Sequence, residues 1–208
     1  MNSDLPKQFM ELKGIPVLMR TVNAFFLADN SIEIILVLPE IHHNFWNTLV
    51  AKHNFKVPHR RVVGGNSRFQ SVKNGLAAIE GDGLVAIHDG VRPLISAAVI
   101  ENAYQTAAKS TSAITVVASK DSIREITEDG TKSVDRNKYC LVQTPQTFDI
   151  QALKRAYHVE EKASFTDDAS VFEDSGGRVS LVSGDYKNIK ITTPEDLVIV
   201  AGFIEFQK

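Results

Sequence analysis

Cysteine is almost missing from this chain: Cys140 is the single one in 208 residues. That excludes a disulfide framework, and a lone cysteine reads as a small packed side chain in a reducing compartment. Long apolar runs are missing too. No stretch approaches the roughly 18 residues of a membrane span, and the start Met1-Asn2-Ser3-Asp4-Leu5-Pro6-Lys7 has no signal-peptide pattern, so a cytoplasmic protein without membrane contact is expected. There is no basic excess. With 23 Lys and Arg against 25 Asp and Glu, a net charge of -2 and a pI near 6.3, a nucleic-acid partner is disfavoured and any anion site must be locally basic. Metal-ligand spacing is absent as well. His42 and His43 stand together without a third ligand, which reads as solvated surface, so no protein-held metal site is expected. Nor is there an internal repeat, a low-complexity tract or a Pro/Gly/Ser-rich linker, which leaves one domain over residues 1–208.

What is present is an ordinary globular composition, 43% hydrophobic and 23% charged, enough to close a sizeable core. Strand and helix patterns alternate along it. Apolar spacing through Val17, Met19, Val22, Phe25 and Phe26 predicts a helix from about Pro16 to Ala28. Glu33 to Pro39 reads as a buried strand. Ile41 to Asn54 reads as a helix with Phe45 and Leu49 on its inner face and Trp46 a further candidate for it, where packing is a better role for Trp46 than base stacking. Val57 to Val63 is a further strand, ending in Gly64-Gly65-Asn66-Ser67-Arg68 before a helix marked by Phe69, Val72, Leu76 and Ile79. Paired glycines between strand and helix suit an anion held by backbone N–H groups, although the same pattern is commonly just a turn.

The stretch Leu84-Val85-Ala86-Ile87-His88-Asp89-Gly90-Val91-Arg92-Pro93 is the most telling. Four apolar residues predict a strand buried on both faces of a parallel sheet, and the abrupt polar turn puts His88, Asp89 and Arg92 where α/β sheets bind ligands. A helix from about Ala97 to Thr111 and a strand over Ser112 to Ala118 follow. From about 121 to 148 the pattern changes to a β-arm, with Ser122 to Thr127 and Thr131 to Val134 joined by a turn at Glu128-Asp129-Gly130. Such an arm must be covered by another surface, a second subunit being one candidate. Gln151 to Lys162 reads as a helix, Thr166 as the N-cap of the next, Val179 to Val182 as a late strand, and Thr193-Pro194 as the start of the last helix.

Taken in order, Pro6-Lys7-Gln8, Gly64-Gly65 with Arg68 and Ser71, His88 to Pro93, Val134-Asp135-Arg136, Thr144-Pro145-Gln146, Thr166-Asp167-Asp168-Ala169, and Asn188-Ile189-Lys190 through Pro194-Glu195-Asp196 closely resemble the 2-C-methyl-D-erythritol 4-phosphate cytidylyltransferases of the non-mevalonate isoprenoid pathway. The resemblance covers essentially the whole chain. It implies an α/β, Rossmann-like nucleotidyltransferase with a three-layer α/β/α arrangement, a mostly parallel central sheet and a protruding arm through which two copies form a homodimer. It implies CTP and a methylerythritol phosphate as substrates, with Mg²⁺ carried mainly on the CTP phosphates. Residue by residue, Lys7 matches the lysine that stabilises the transition state, and Arg136 and Lys190 match the pair that positions the attacking phosphate. Gly65, Asn66, Arg68, Ser71 and Asp89 fall on nucleotide-contacting positions. Asp89, Arg92, Ser122, Thr144 and Thr166 fall on substrate-facing ones. Ser122 stands where relatives often have Thr, and Asn66 where Asp is frequent.

The chemistry agrees with such roles. A phosphate monoester is already ionised at pH 7, so no general base is needed; the task is to bring two anions together and stabilise charge at the α-phosphorus, which calls for fixed cations and a metal ion. Two other readings compete: a ribitol 5-phosphate cytidylyltransferase, disfavoured by Val134-Asp135-Arg136, and an inactive dimeric binding protein. The second arises because the family's first strand and its Gly-rich phosphate loop, with a transition-state arginine, precede Pro-Lys-Gln, and neither stands before Pro6 here. A chain of these 208 residues is therefore expected to leave the Leu84 strand short of a neighbour and to bind CTP poorly, with the native start further upstream.

Overall fold

Polar residues at the turns decide where most of the helices begin. In the computed structural model, which describes residues 5–206, Ser67, Ser96, Asp149 and Asp167 each accept a hydrogen bond from a backbone N–H of the first helical turn. Such caps stabilise a helix by about 1 kcal/mol each. At the last helix the Asp196 carboxylate accepts from the N–H of Thr193, 2.8 Å away, and Pro194 occupies the first turn.

After a short 3-10 turn at Lys7–Phe9, the order is β1 (Glu11–Leu12), β2 (Ile15–Pro16), α1 (Val17–Ala28), β3 (Ile35–Leu38), α2 (His43–Lys52), β4 (Arg60–Val63), α3 (Arg68–Ala77), β5 (Leu84–Ile87), α4 (Ala97–Ser110), β6 (Ser112–Ala118), β7 (Arg124–Thr127), β8 (Gly130–Ser133), β9 (Cys140–Asp149), α5 (Ile150–Ala156), α6 (Asp168–Asp174), β10 (Leu181–Ser183) and α7 (Pro194–Glu205). The main sheet runs β10-β6-β9-β5. β10 lies parallel to β6, and both β6 and β5 pair antiparallel with β9. The sheet is therefore mixed: β5, β6 and β10 share a direction and β9 opposes them. β3 and β4 form a separate parallel pair. Between β3 and β5 runs a cavity of about 690 Å³, walled by Ile34 to Leu38 on one side and Leu84 to Ile87 on the other.

Two buried clusters hold the layers. Phe148 and Ile114 of the sheet pack with Phe69 and Leu76 of α3, Leu153 of α5 and Phe172 of α6. Phe9, Leu18, Met19, Leu36, Leu38, Trp46 and Leu49 close the other side of the fold.

Several sequence expectations need correcting. Residues 140–149 are not part of the arm but the longest strand of the main sheet, and the arm proper is the β7–β8 hairpin. Pro145 hides this strand in the sequence, since proline is normally kept out of central strands. It is tolerated because the β6–β9 register shifts between Ile114 and Val116, where Thr115 donates its hydroxyl to the Pro145 carbonyl at 2.7 Å. The Leu84 strand is half-buried rather than enclosed on both faces, and its ladder partner is the antiparallel β9. On α2, Trp46 is fully buried while Phe45 is 37% exposed, so the inner face is rotated from the expected one. Cys140 is exposed, not packed. His42 and His43 are partly buried, the first edge-on to Phe9 and the second 3.1 Å from the Leu38 carbonyl. Helix α5 stops at Ala156, and α6 is capped by Asp167 instead of Thr166.

Candidate active site

The antiparallel insertion of β9 beside β5 brings two polar segments together. At the carboxyl end of β5 the chain turns through His88 to Arg92, and the Asp89 N–H donates to the Thr144 hydroxyl on β9 at 3.1 Å. The segment around Asn188 closes the arrangement from a third direction. Asn188 is fully buried and donates its side-chain N–H to the Thr144 carbonyl at 2.8 Å, while its own carbonyl accepts from Arg92 Nη1 at 2.8 Å. Arg92 Nε reaches Asp89 at 3.0 Å, and Lys190 Nζ lies 3.3 Å from the same carboxylate. Burial by itself would lift the Asp89 carboxyl, but Lys190 and then Arg92 outweigh it and hold it below the usual carboxylate range.

These groups line a cavity of about 250 Å³ shared with Arg68, Gln143, Gln146, Thr166 and Asp167. Arg68, Arg92 and Lys190 give this wall a cationic surplus over Asp89 and Asp167. The larger cavity between β3 and β5 is mostly aliphatic; its charged wall residues are Glu33, Glu80 and Asp82 together with Arg68 and Asp89, which it shares with the smaller one. The smaller cavity is therefore the more cationic of the two.

On the far wall Gln146 of β9 accepts from the N–H groups of Asp168 and Ala169, at 3.0 and 2.9 Å, and donates to Asp167 at 2.8 Å. One side chain thus ties the start of α6 to the sheet. Arg68 makes a two-pronged contact with the fully buried Asp168, at 3.0 and 2.5 Å, and Tyr157 donates to the same carboxylate at 2.6 Å. Burial would lower the Arg68 guanidinium, yet Asp168 outweighs it and holds it above its ordinary value; burial and Asp168 together push the Tyr157 phenol up.

Of the residues singled out from sequence, Arg68, Asp89, Arg92, Thr144, Thr166 and Lys190 meet at this one cavity. Lys7 stands just outside: its ammonium bonds the Thr192 carbonyl, two residues beyond Lys190, so both lysines converge on one loop. Ser71 lines the larger cavity. Gly65 and Asn66 line neither, and their N–H groups are taken by Ser71 Oγ and Gln70 Oε1, both at 3.1 Å, which corrects the expectation of a free backbone cradle there. Gly65 is required for a different reason: a Cβ on it would stand 2.3 Å from the Gln70 Cβ. Ser122 and Arg136 are exposed beside the arm, with Arg136 donating to the Lys120 carbonyl at 2.5 Å, and neither joins the cavity of its own chain. Sequence reasoning left out Gln143, Gln146, Asp167 and Asn188, although the polar run in β9 and the Asn188-Ile189-Lys190 motif carried the signal.

Against known proteins, the family model described as IspD, 2-C-methyl-D-erythritol 4-phosphate cytidylyltransferase, matches residues 1–205. The chain belongs to this family. It is 49% identical over 199 residues to the 2-C-methyl-D-erythritol 4-phosphate cytidylyltransferase of Phocaeicola vulgatus, covering 96% of this chain and 91% of that protein. Its likeness to the enzyme of the same name from Bacillus licheniformis is 39% over 212 residues, with 100% and 91% covered. Among solved structures, the 4-diphosphocytidyl-2C-methyl-D-erythritol synthase of Anaerococcus prevotii superposes with a TM-score of 0.85 at 30% identity, over 95% of this chain and 93% of that one. The Francisella tularensis cytidylyltransferase gives 0.78 at 30% identity, over 99% and 94%. Family membership makes this chain a nucleotidyltransferase, and the mixed sheet flanked by helices is the Rossmann-like fold of those relatives.

Among the described residues no group of three or more His, Cys, Asp or Glu could hold a metal ion. Asp89 is engaged by two cations and Asp167 by the start of α6. No helix among the described residues is long and apolar enough to cross a membrane.

Proposed function

We propose that this chain, acting as a single domain, transfers the cytidylyl group of CTP to 2-C-methyl-D-erythritol 4-phosphate, forming 4-diphosphocytidyl-2-C-methyl-D-erythritol and pyrophosphate in isoprenoid precursor synthesis. The observation that carries the reading is the coincidence of a family match over residues 1–205 with a cationic cavity holding Asp89, Arg92, Thr144, Thr166 and Lys190 at the strand ends. A phosphate-monoester oxygen attacks the α-phosphorus; the new P–O bond forms as the bond to the β-phosphate oxygen breaks, and pyrophosphate leaves. No proton has to be removed from the nucleophile, which suits a cavity built from cations and amides.

In this reading Lys190, half-exposed and paired with Asp89, receives the attacking phosphate by exchanging a carboxylate partner for a phosphate. Lys7 stabilises charge at the α-phosphorus. Arg68, Ser71, Gly65 and Asn66 shape the nucleotide side, with Arg68 held in place by Asp168. Mg²⁺ carried on the CTP phosphates would supply charge neutralisation there, with no side chain of the cavity assigned to hold it. Arg136 and Ser122 reach the cavity of a second copy. Support for that comes from the arm: every residue of β7 and β8 is exposed, and a two-stranded ribbon is marginal alone. Ile126, Tyr139, Leu141 and Val142 also leave an uncovered apolar surface on the arm and the outer end of β9.

The test is pyrophosphate release with CTP and each polyol phosphate in turn. Methylerythritol phosphate should be turned over well ahead of ribitol 5-phosphate, the substrate of the nearest rival activity. Equal or faster turnover of ribitol 5-phosphate would reverse the assignment.

A further inference from the structure

His88 does not itself line the small cavity but stands behind its wall, and it decides what one wall residue can recognise. Its Nε2 lies 3.4 Å from the Arg92 carbonyl, which can only accept. In a neutral ring that nitrogen therefore carries the proton, and Nδ1 is left as an acceptor. The Thr144 hydroxyl stands 3.1 Å from Nδ1 and must donate to it. The same hydroxyl accepts from the Asp89 N–H at 3.1 Å. A hydroxyl has one proton and two lone pairs. Here the proton and one lone pair are committed, so Thr144 retains a single lone pair toward the cavity.

We propose that His88 is a positioning residue that polarises Thr144 into a pure acceptor, so that Thr144 reads a hydroxyl of the polyol and not an oxygen of its phosphate. A phosphate oxygen only accepts, and it would meet the Thr144 lone pair with repulsion. The inference rests on the functional reading above and adds the hydrogen-bond polarity of one subsite. Burial keeps the ring neutral, lowering its pKa to about 4 against the pull of the Arg92 carbonyl, the Asp89 carboxylate and the Thr144 backbone, with only the Arg92 guanidinium adding to burial. Phe25 packs edge-on to the ring with centroids 4.9 Å apart, which fixes its plane. Asn188 holds the Thr144 carbonyl, so the hydroxyl is also fixed from the main-chain side.

Four single variants, one double variant and one inhibitor decide it. Thr144→Val removes the hydroxyl, and His88→Leu removes its proton acceptor. His88→Gln retains a polar group near Nε2 but offers no acceptor at the Nδ1 position, and it covers the case in which the leucine variant does not fold. His88→Asn places an amide oxygen near Nδ1 and should rescue. The KM for methylerythritol phosphate is expected to rise about tenfold in Thr144→Val, His88→Leu and His88→Gln, the loss of one buried hydrogen bond, with the KM for CTP and kcat within about twofold of wild type. The double variant His88→Leu/Thr144→Val should be no worse than Thr144→Val alone, because both changes remove the same interaction. Butyl phosphate, a phosphomonoester without hydroxyls, should inhibit wild type and all variants equally. Additive effects in the double variant, a parallel rise in the KM for CTP, no rescue by asparagine, or weaker inhibition by butyl phosphate in the variants would each overturn the inference. A wild-type protein that releases pyrophosphate normally beside unaffected variants overturns it alone; a wild-type protein inactive with every polyol phosphate overturns the functional reading, and this inference with it.

Discussion

Lys7, from the first 3-10 turn, and Lys190 converge on one loop, but their surroundings assign them different tasks. Lys190 shares Asp89 with Arg92 on the cavity wall, and Lys7 is anchored to the Thr192 carbonyl just outside it. Lys190→Ala should therefore mainly raise the KM for the polyol phosphate, while Lys7→Ala should mainly lower kcat, on the order of a hundredfold for the loss of one preorganised charge. Steady-state kinetics on both variants checks this, and full turnover in Lys7→Ala would remove it from the reaction. At this scale much of the site was legible from sequence, because Asp89, Arg92, Thr144, Thr166 and Lys190 sit in short motifs of fixed order. What escaped was partnership across the chain. Nothing near Arg68 announces that Asp168, a hundred positions away, will hold it in a two-pronged contact with Tyr157 on the same carboxylate. A buried ion pair is set by which elements pack, and that information is not local.

The elements tell a similar story. Helices with clear periodicity, such as α1 and α4, fell within a residue or so of the expected bounds because the spacing of apolar residues and the caps agree. Strand β9 escaped because Pro145 and the polar residues Gln143, Thr144, Gln146 and Thr147 argue locally against a central strand. A bulge in β9, where Gln143, Thr144 and Pro145 stand opposite the single residue Thr115 of β6, and a set of buried hydrogen bonds reverse that argument. The turn before α3 likewise looked like an anion cradle when its glycine is needed for packing. Gly65→Ala should then cost about 2 kcal/mol through overpacking against Gln70, lowering Tm by roughly 4–8 °C in a chain of this size. Gly202→Ala in α7, where a Cβ meets nothing within 4 Å, should leave Tm unchanged or raise it slightly. Thermal melts of the two variants separate the packing role of Gly65 from the general cost of changing a glycine.

For the whole molecule the decisive question is why a residue matched to the reacting centre lies outside its own cavity. Arg136 follows a hairpin whose residues are all exposed, and it spends one N–H on the Lys120 carbonyl beside an apolar surface with nothing over it. If two copies pair through that surface, the arm of each can bring Arg136 and Ser122 to the other's cavity, giving two composite sites per dimer. A heterodimer of Arg136→Ala and Lys7→Ala subunits then has one site with both defects and one with neither. Mixing the two inactive homodimers under exchanging conditions should restore activity toward a quarter of wild type: random pairing makes half of the dimers hybrids, and each hybrid carries one intact site of two. The measurement is pyrophosphate release as a function of mixing time, with exchange followed independently by an affinity tag on one variant. Recovery that tracks the exchange places Arg136 in the partner's site. Confirmed exchange with no recovery means that Arg136 serves its own chain, and the arm would then have to fold back over the cavity it borders.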